Sequence, residues 1–468
     1  MWTRLLLVLI TVNACTSVSG SRALPRSDRP AVRGDGVAVE TTAPTSARDL
    51  DTRDPSEAFG SAEAMAAAEA KGLTPILRVD DEPTPPPATI REAIQQGRTW
   101  FKFRIRAETV DQSGIDKDAK ALTARTVIGY ETAELHGFKG VVEVENVSRI
   151  GGRQYNTTEN GRTQYPVVAD PSGTEVNQAY LQKTLEWATI KGGRQVIILD
   201  NARFIGNVGW RQNEQTFDAV STTIDAGGHV DVHLSWLANA NRIFGDDSSM
   251  GDARMSSYLL NVGTAVGDHG RLVAYWYDLD YNSSSDMTAL STQTLGGRYK
   301  GALKASDDAA PVDFLLEYAH QTDTGKNPNR VNADYHHVML GVPVGPVKIE
   351  AGQEVLEGSE SNSGAFTTPL ATLHAFNGWA DKFLTTPTTG LEDNYVSIGG
   401  KISDTKLKAV YHNFHSEASS RDFGSELDLL IVTPLDEDST WGAKYADFNA
   451  EDFATDTEKF WLWYETRF

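Results

Sequence analysis

From Trp100 to the C-terminus, apolar and polar side chains alternate with a period of two. Phe101, Phe103, Ile105 and Ala107 interleave with Lys102, Arg104, Arg106 and Glu108, and Ala124, Thr126, Ile128 and Tyr130 with Thr123, Arg125, Val127, Gly129 and Glu131. Further on, Val230, Val232, Leu234, Trp236, Ala238 and Ala240 interleave with His229, Asp231, His233, Ser235, Leu237 and Asn239. The chain ends on KFWLWYETRF, which sets Phe460, Leu462, Tyr464 and Thr466 against Lys459, Trp461, Trp463, Glu465 and Arg467. Successive side chains of a β-strand point to opposite faces, so each run predicts a strand with one apolar and one polar side. About ten such residues cross a bilayer. Taken alone, the closing segment also fits an edge strand of a water-soluble β-domain.

Repetition favours the membrane reading. Further strands are predicted over 140–146, 176–189, 195–201, 216–225, 256–266, 272–280, 290–301, 312–320, 334–342, 347–355, 392–399, 406–414, 426–432 and 440–448. With the runs above this makes about eighteen, an even number as single-chain bacterial barrels have. The turn signals LHGF, KGGR, AGGH, GDHG, VPVGP and ISDT fall at every second junction, and longer polar connections at 150–175, 204–215, 245–252 and 358–390 fall at the others. A soluble sandwich has no reason to alternate its loop lengths. The expected fold is therefore all-β, a transmembrane antiparallel barrel over 99–468, with short periplasmic turns and long extracellular loops.

Composition is compatible with this. The chain holds 64 Asp and Glu against 43 Lys and Arg, a net charge of −21, with a mean hydropathy of −0.37. That balance excludes a uniformly buried helical membrane protein, but half of each barrel strand faces a polar lumen. It also argues against a nucleic-acid partner. Residues 1–20, with Arg4 ahead of an apolar run at 5–12, read as a signal peptide. Residues 21–98 read as a low-complexity leader with short helices over 57–71 and 89–96, or as a disordered linker. Cys15 follows Val-Asn-Ala, which fits ordinary cleavage and also an imperfect lipoprotein box. A single cysteine permits no intramolecular disulfide, so the envelope location rests on targeting.

Three stretches are unusual: GRQVIILDNARFIGNVGWRQNEQTFDAV at 193–220, YPVVADPSGTEVNQAYL at 165–181 and TPLATLHAFNGWADKFLTTPTTGLEDNYV at 368–396. They resemble motifs of the alginate-export family of outer-membrane porins, a resemblance that covers most of 99–468. It implies an eighteen-stranded barrel that passes anionic polysaccharide or other small hydrophilic solutes, with loops folded inward to narrow the pore. By matching motif it nominates Asp200, Asn201, Arg203, Asn207, Trp210, Arg211, Gln212, Asn213, Glu214 and Gln215, with Asn377, Trp379, Asp381 and Lys382 from the later loop. The last strand, ending on Phe468, resembles the closing strand of bacterial outer-membrane barrels. This implies contact with outer-membrane lipid and with the barrel-assembly machinery.

Strand alternation places Lys102, Arg104, Arg106, Arg125 and Arg467 on lumen faces of neighbouring strands, provided the first strand closes against the last. Together with Arg194, Arg203 and Arg211 they could attract anions through fixed guanidinium groups. Glu108, Glu131, Glu143, Glu145 and Glu465 share those faces, so a neutral salt network is the alternative. His229, Asp231 and His233 have a spacing that could hold a metal, but lumen-facing polar residues explain them more simply. DLDYNSSSD at 278–286 lacks the glycine and glutamate of a calcium loop and reads as a solvated acidic loop. No GxSxG, P-loop or HExxH occurs. The expected function is an outer-membrane channel for hydrophilic solutes, anionic polysaccharide or sugar acids among them, working by facilitated diffusion without cofactor or metal. The alternatives are a barrel hydrolase, with His229, His233, His412 or His415 as base, and a structural barrel plugged by 358–390.

Overall fold

The structure, a computed structural model, describes residues 85–468 apart from 228, 305, 307–309 and 361–363. The predicted signal peptide, Cys15 and the helix expected over 57–71 lie outside the described residues. The second expected helix forms: α1 (Ile90–Gln95) starts at Thr89, whose hydroxyl accepts from the Glu92 N–H at 3.2 Å, an ordinary N-cap.

Eighteen strands follow. They are β1 (Arg98–Gln112), β2 (Ala119–Glu131), β3 (Phe138–Arg149), β4 (Gly173–Thr184), β5 (Ala188–Gln195) and β6 (Thr216–Asp225). Then come β7 (Val230–Asn241), β8 (Asp252–Ala265), β9 (Gly270–Leu279), β10 (Thr292–Leu303), β11 (Val312–Asp323) and β12 (Asn332–Val344). The last six are β13 (Val347–Leu356), β14 (Leu391–Ile402), β15 (Thr405–His415), β16 (Asp422–Pro434), β17 (Ser439–Ala450) and β18 (Thr457–Arg467). Each strand pairs antiparallel with its neighbours in sequence, and β1 also pairs with β18, so the sheet closes into a barrel. Phe468 completes the seam. Its N–H donates to the Phe101 carbonyl at 2.8 Å, its carbonyl accepts from the Phe101 N–H at 2.9 Å, and the two rings stack at 6.0 Å.

The connections alternate as the sequence predicts. At one end lie turns such as 185–187, 226–229, 266–269, 345–346 and 403–404. At the other lie 150–172, 196–215, 242–251 and 357–390, although 113–118, 416–421 and 451–456 are short there too. No described helix is long and apolar enough to cross a membrane, and the crossing is made by strands. Their outward residues are apolar and exposed, among them Ile128, Leu234, Leu316, Leu340, Val396 and Leu429. The buried apolar cluster lies inside the barrel, where loops bring Phe204, Ile205, Phe366 and Phe383 against wall residues such as Tyr275, Tyr335, Phe414 and Phe448.

Two details correct the expectation. KGGR at 191–194 is not a turn but part of β5; the turn is 185–187, and the strand expected over 195–201 ends at Gln195. The glycines permit a close approach: a Cβ on Gly193, at φ +127°, would lie 2.3 Å from the Ala179 carbonyl oxygen of β4. The alternation expected through Ala240 also breaks. A register shift between Leu237 and Asn239 turns Ala240 inward, opposite Phe217, while Asn239 bonds to Asn241 and Asp252. An extra residue in one strand inverts the parity of everything after it, and alternation alone does not show where that happens.

Leu316 is 50% exposed on the outer face of β11. Leu316→Arg should destabilise the barrel by about 2–4 kcal/mol in lipid vesicles, as for a cation near the bilayer midplane. Urea titration in vesicles measures this, and a change under about 0.5 kcal/mol would place Leu316 in water.

Candidate functional site: two loops fastened inside the barrel

Loops 196–215 and 357–390 fold into the lumen. They meet in a parallel bridge between Ile205 and Leu370, and the Gly206 N–H donates to the Leu370 carbonyl at 2.9 Å. The inward turn of 196–215 uses left-handed backbone at Asp200, Ala202 and Val208, with φ of 54°, 60° and 54°. Asp200 accepts from Asn261 at 2.7 Å, Asn201 from the Arg203 N–H at 3.3 Å, and the Asn207 carbonyl from the Gln215 N–H at 2.6 Å. Gln215 donates to the carbonyls of Gly206 and Leu370, and Asn213 to that of Ile243. The motif residues of this loop thus bond partly to its own backbone and partly to β8, to loop 357–390 and to Ile243, as buried polar groups must.

Wall arginines hold the loop. Arg104 donates to Gln212 at 3.0 Å and to the carbonyls of Gly209 and Arg211 at 3.0 and 2.5 Å. Arg106, 1% exposed, donates to the Trp210 carbonyl and pairs with Asp170 of loop 150–172. Asp170 also accepts the Gln212 N–H at 2.9 Å. Arg125 pairs with Glu145 and with Glu214, the latter at 2.6 Å. Burial would raise the Glu214 carboxyl, but Arg125 and Lys102 outweigh it and hold the group down at about 2. Arg203 lies in the second loop's territory. It pairs with Glu354 of β13 at 2.7 Å and donates to Thr368 and Asn377 at 3.1 Å each.

The two loops and the wall converge on Asp381. It accepts from Arg211 at 2.8 Å, from Lys459 of β18 at 2.7 Å and from His374 Nδ1 at 2.7 Å. The other ring nitrogen of His374 accepts from Lys444 of β17 at 3.1 Å, which fixes the neutral tautomer with its proton on Nδ1. Trp210 stacks on His374 at 4.8 Å and meets Trp463 edge-on at 5.3 Å. The Lys444 ammonium lies 4.1 Å from the Trp210 ring centre and 4.0 Å from that of Trp379. Burial would raise the Asp381 carboxyl, yet Lys459, His374 and Arg211 keep it well below the usual range. Lys382, half-buried beside it, is pushed down to about 8 by burial and then by Lys459. The Trp379 and Ala380 N–H groups donate to Asp428 and Glu426 of β16 at 3.2 and 2.6 Å.

The structure therefore gathers Arg104, Arg106, Arg203 and Arg211 with the motif residues. Arg194 lies apart, paired with Asp218 at 2.8 Å and partly exposed. Lys102, 3.8 Å from Glu143, and Arg467, exposed and in register with Lys102, face the turn end of the lumen. Asp231 pairs with Arg271, and His233 lies between the hydroxyls of Thr223 and Ser235. Among the described residues no cluster of His, Cys, Asp or Glu could hold a metal. Sequence reasoning missed Asp170, Glu354, His374 and Lys444. Period two places Glu354 and Lys444 on lumen faces, whereas Asp170 and His374 lie within the unusual stretches 165–181 and 368–396 with no local signal that sets them apart from their neighbours.

The alginate-export family matches residues 96–350. The chain belongs to that family. It is an outer-membrane β-barrel channel protein. No curated protein matches it. Its fold is that of the crystal structure of Acinetobacter baumannii OccAB2, at TM-score 0.61 and 15% identity over 81% of this chain and 99% of that one. Pseudomonas aeruginosa OpdO gives 0.60 at 9% identity over 81% and 98%, and OccD3 (OpdP) of the same species 0.60 at 13% over 83% and 95%. At these identities the likeness concerns the fold.

Arg203→Ala would strand Glu354 in the interior without its cation, a loss of about 3–5 kcal/mol. Faster amide exchange across 357–390 measures it, and unchanged protection would show that the pair does not hold the loop. His374 gives a pH dependence. Burial, with Lys444 and against Asp381, puts it well below its ordinary 6.5, so the docked loop resists a proton that a released loop accepts. Docking is then complete above about 6.5 and weakens by about 1.4 kcal/mol per unit as pH falls below it. Tryptophan fluorescence from the Trp210 stack should report the onset in wild type and lose it in His374→Gln.

Proposed function

We propose that this channel passes hydrophilic solutes, sugar acids and other carboxylates among them, by facilitated diffusion through a lumen narrowed by loops 196–215 and 357–390. The observation that carries the reading is a closed barrel whose interior holds buried ion pairs beside an apolar cluster, and into which long loops from one end are fastened by buried arginines. The candidate residues take two roles in it. Arg104, Arg106, Arg125, Arg203 and Arg211, with Asp200, Asn201, Asn207, Trp210, Gln212, Asn213, Glu214, Gln215, Asn377, Trp379 and Asp381, set the shape of the constriction. Lys102, Arg194, Lys382 and Arg467 keep contact with water and are the cations a solute meets. The outer face meets lipid, and the β18 strand ending on Phe468 is the segment the barrel-assembly machinery would take up.

A hydrolase is the weaker reading. A histidine base needs a nucleophile on one ring nitrogen and an orienting acid on the other. His412 has acids on both sides, Asp393 at 2.9 Å and Asp428 at 3.7 Å, and His415 bonds to Asn413. His233 bonds Ser235 at 2.7 Å, but its other nitrogen meets the Thr223 hydroxyl at 3.3 Å.

Purified protein in planar bilayers should conduct, and replacing Lys102 and Arg467 by Ala should shift the reversal potential toward cations. Replacing Arg104 and Arg106 by Ala should instead make the current noisier, because those groups hold a loop. Protein that inserts and conducts no ions would end the channel reading.

A further inference from the structure

Loop 357–390 carries its own carboxylate into a cationic pocket. Asp381 is 6% exposed at its side chain and accepts from Arg211, Lys459 and His374 at 2.7–2.8 Å. Arg211 belongs to loop 196–215 and Lys459 to the barrel wall, so both would stay behind if loop 357–390 moved. The pocket keeps aromatic walls as well: Trp210 meets Trp461 edge-on at 5.9 Å, and the Lys444 ammonium lies over Trp210.

Asp381 joins both loops to the wall. Around this point Arg106, Arg211, Lys444 and Lys459 face Glu108, Asp170 and Asp381. Asp428 and Glu426 of the wall accept from the Trp379 and Ala380 N–H groups of the same loop. Withdrawing Asp381 takes from Lys459 its carboxylate partner and leaves Arg211 with Glu108 alone, and a buried cation stripped of its partner is strongly unfavourable unless another anion replaces it. The loop is also joined to the barrel through a narrow neck. The backbones of Gly358 and Gly390 approach so closely that a Cβ on Gly358 would fall 1.8 Å from the Gly390 nitrogen, and the Ser359 N–H donates to the Thr388 carbonyl at 2.7 Å. Two glycines at the base of a loop let it turn as a unit.

We propose that Asp381 is a built-in stand-in for a carboxylate solute: Arg211, Lys459 and Lys444 form a carboxylate-binding site that loop 357–390 occupies at rest, and a solute carboxylate displaces Asp381 and opens the channel. This rests on the channel reading above. A solute that binds only the displaced state shifts the population by its affinity for that state, so opening follows solute concentration. No bond is made or broken. One carboxylate replaces another on the same donors.

The test uses the full-length protein in planar bilayers, with sodium glucuronate as probe and glucose as the uncharged control, alongside Asp381→Asn and the conservative Asp381→Glu. Wild type should open severalfold more often with glucuronate and not with glucose. Asp381→Asn should open without ligand and gain nothing from it, and Asp381→Glu, which keeps the charge, should open without ligand less often than Asp381→Asn. Tryptophan fluorescence should show the same glucuronate response in wild type, and this covers the case in which Asp381→Asn fails to fold. If wild type conducts, yet glucuronate changes neither current nor fluorescence, the stand-in is overturned and the channel reading stands. If glucuronate acts equally on Asp381→Asn, the site lies elsewhere. If no variant conducts, the channel reading falls and the inference with it.

Discussion

Hydrocarbon offers no partner to a backbone N–H or carbonyl, so a sheet can stand in a bilayer only if it has no edge. In this chain that requirement falls on the pairing of β1 with β18, which runs from Lys102 opposite Arg467 to Gln112 opposite Thr457. Everything else is conditional on that seam. It decides which face of each strand looks inward, and it brings Lys459, Trp461 and Trp463 beside Arg104 and Arg106 although the two groups are far apart in sequence.

Closing eighteen strands creates a second problem, because the interior is wider than wall side chains can fill. The chain fills it with its own loops. Once a loop enters the lumen its peptide groups leave bulk water, and each must find a partner. Many of the partners are backbone groups of the loops themselves, and charged side chains add the anchorage to the wall: arginine donors reach loop carbonyls, and acids on the wall reach loop N–H groups. A buried ion pair is weak evidence of net stability, but breaking one is expensive. The network therefore specifies where the loops lie more than how firmly the barrel stands.

The same network explains why lumen charge and pore charge are different quantities. Period two identified Arg104, Arg106 and Arg125 as inward-facing, and they are, but each is taken up by a loop carbonyl or a carboxylate. Lys102 and Arg467, read by the same rule, lie nearer the turns and keep contact with water, Lys102 acting on Glu214 of loop 196–215 only through its charge. Alternation reports the face of a residue. It carries nothing about what else arrives at that face.

The amino-acid order by itself determined the strand count, the inward and outward faces, the loop end and the turn end, and the family, because these follow from a local rule of period two and from local turn chemistry. It misread KGGR and the parity after Leu237, where close packing and a bulge override local preference. Only the tertiary structure decided that Asp170, Glu354, His374 and Lys444 belong with Arg106, Arg203 and Asp381. Apart from His374 and Asp381, which share a loop, those contacts join residues separated by tens of positions or more, and a closed ring with loops folded into it is what brings them within a hydrogen bond of one another.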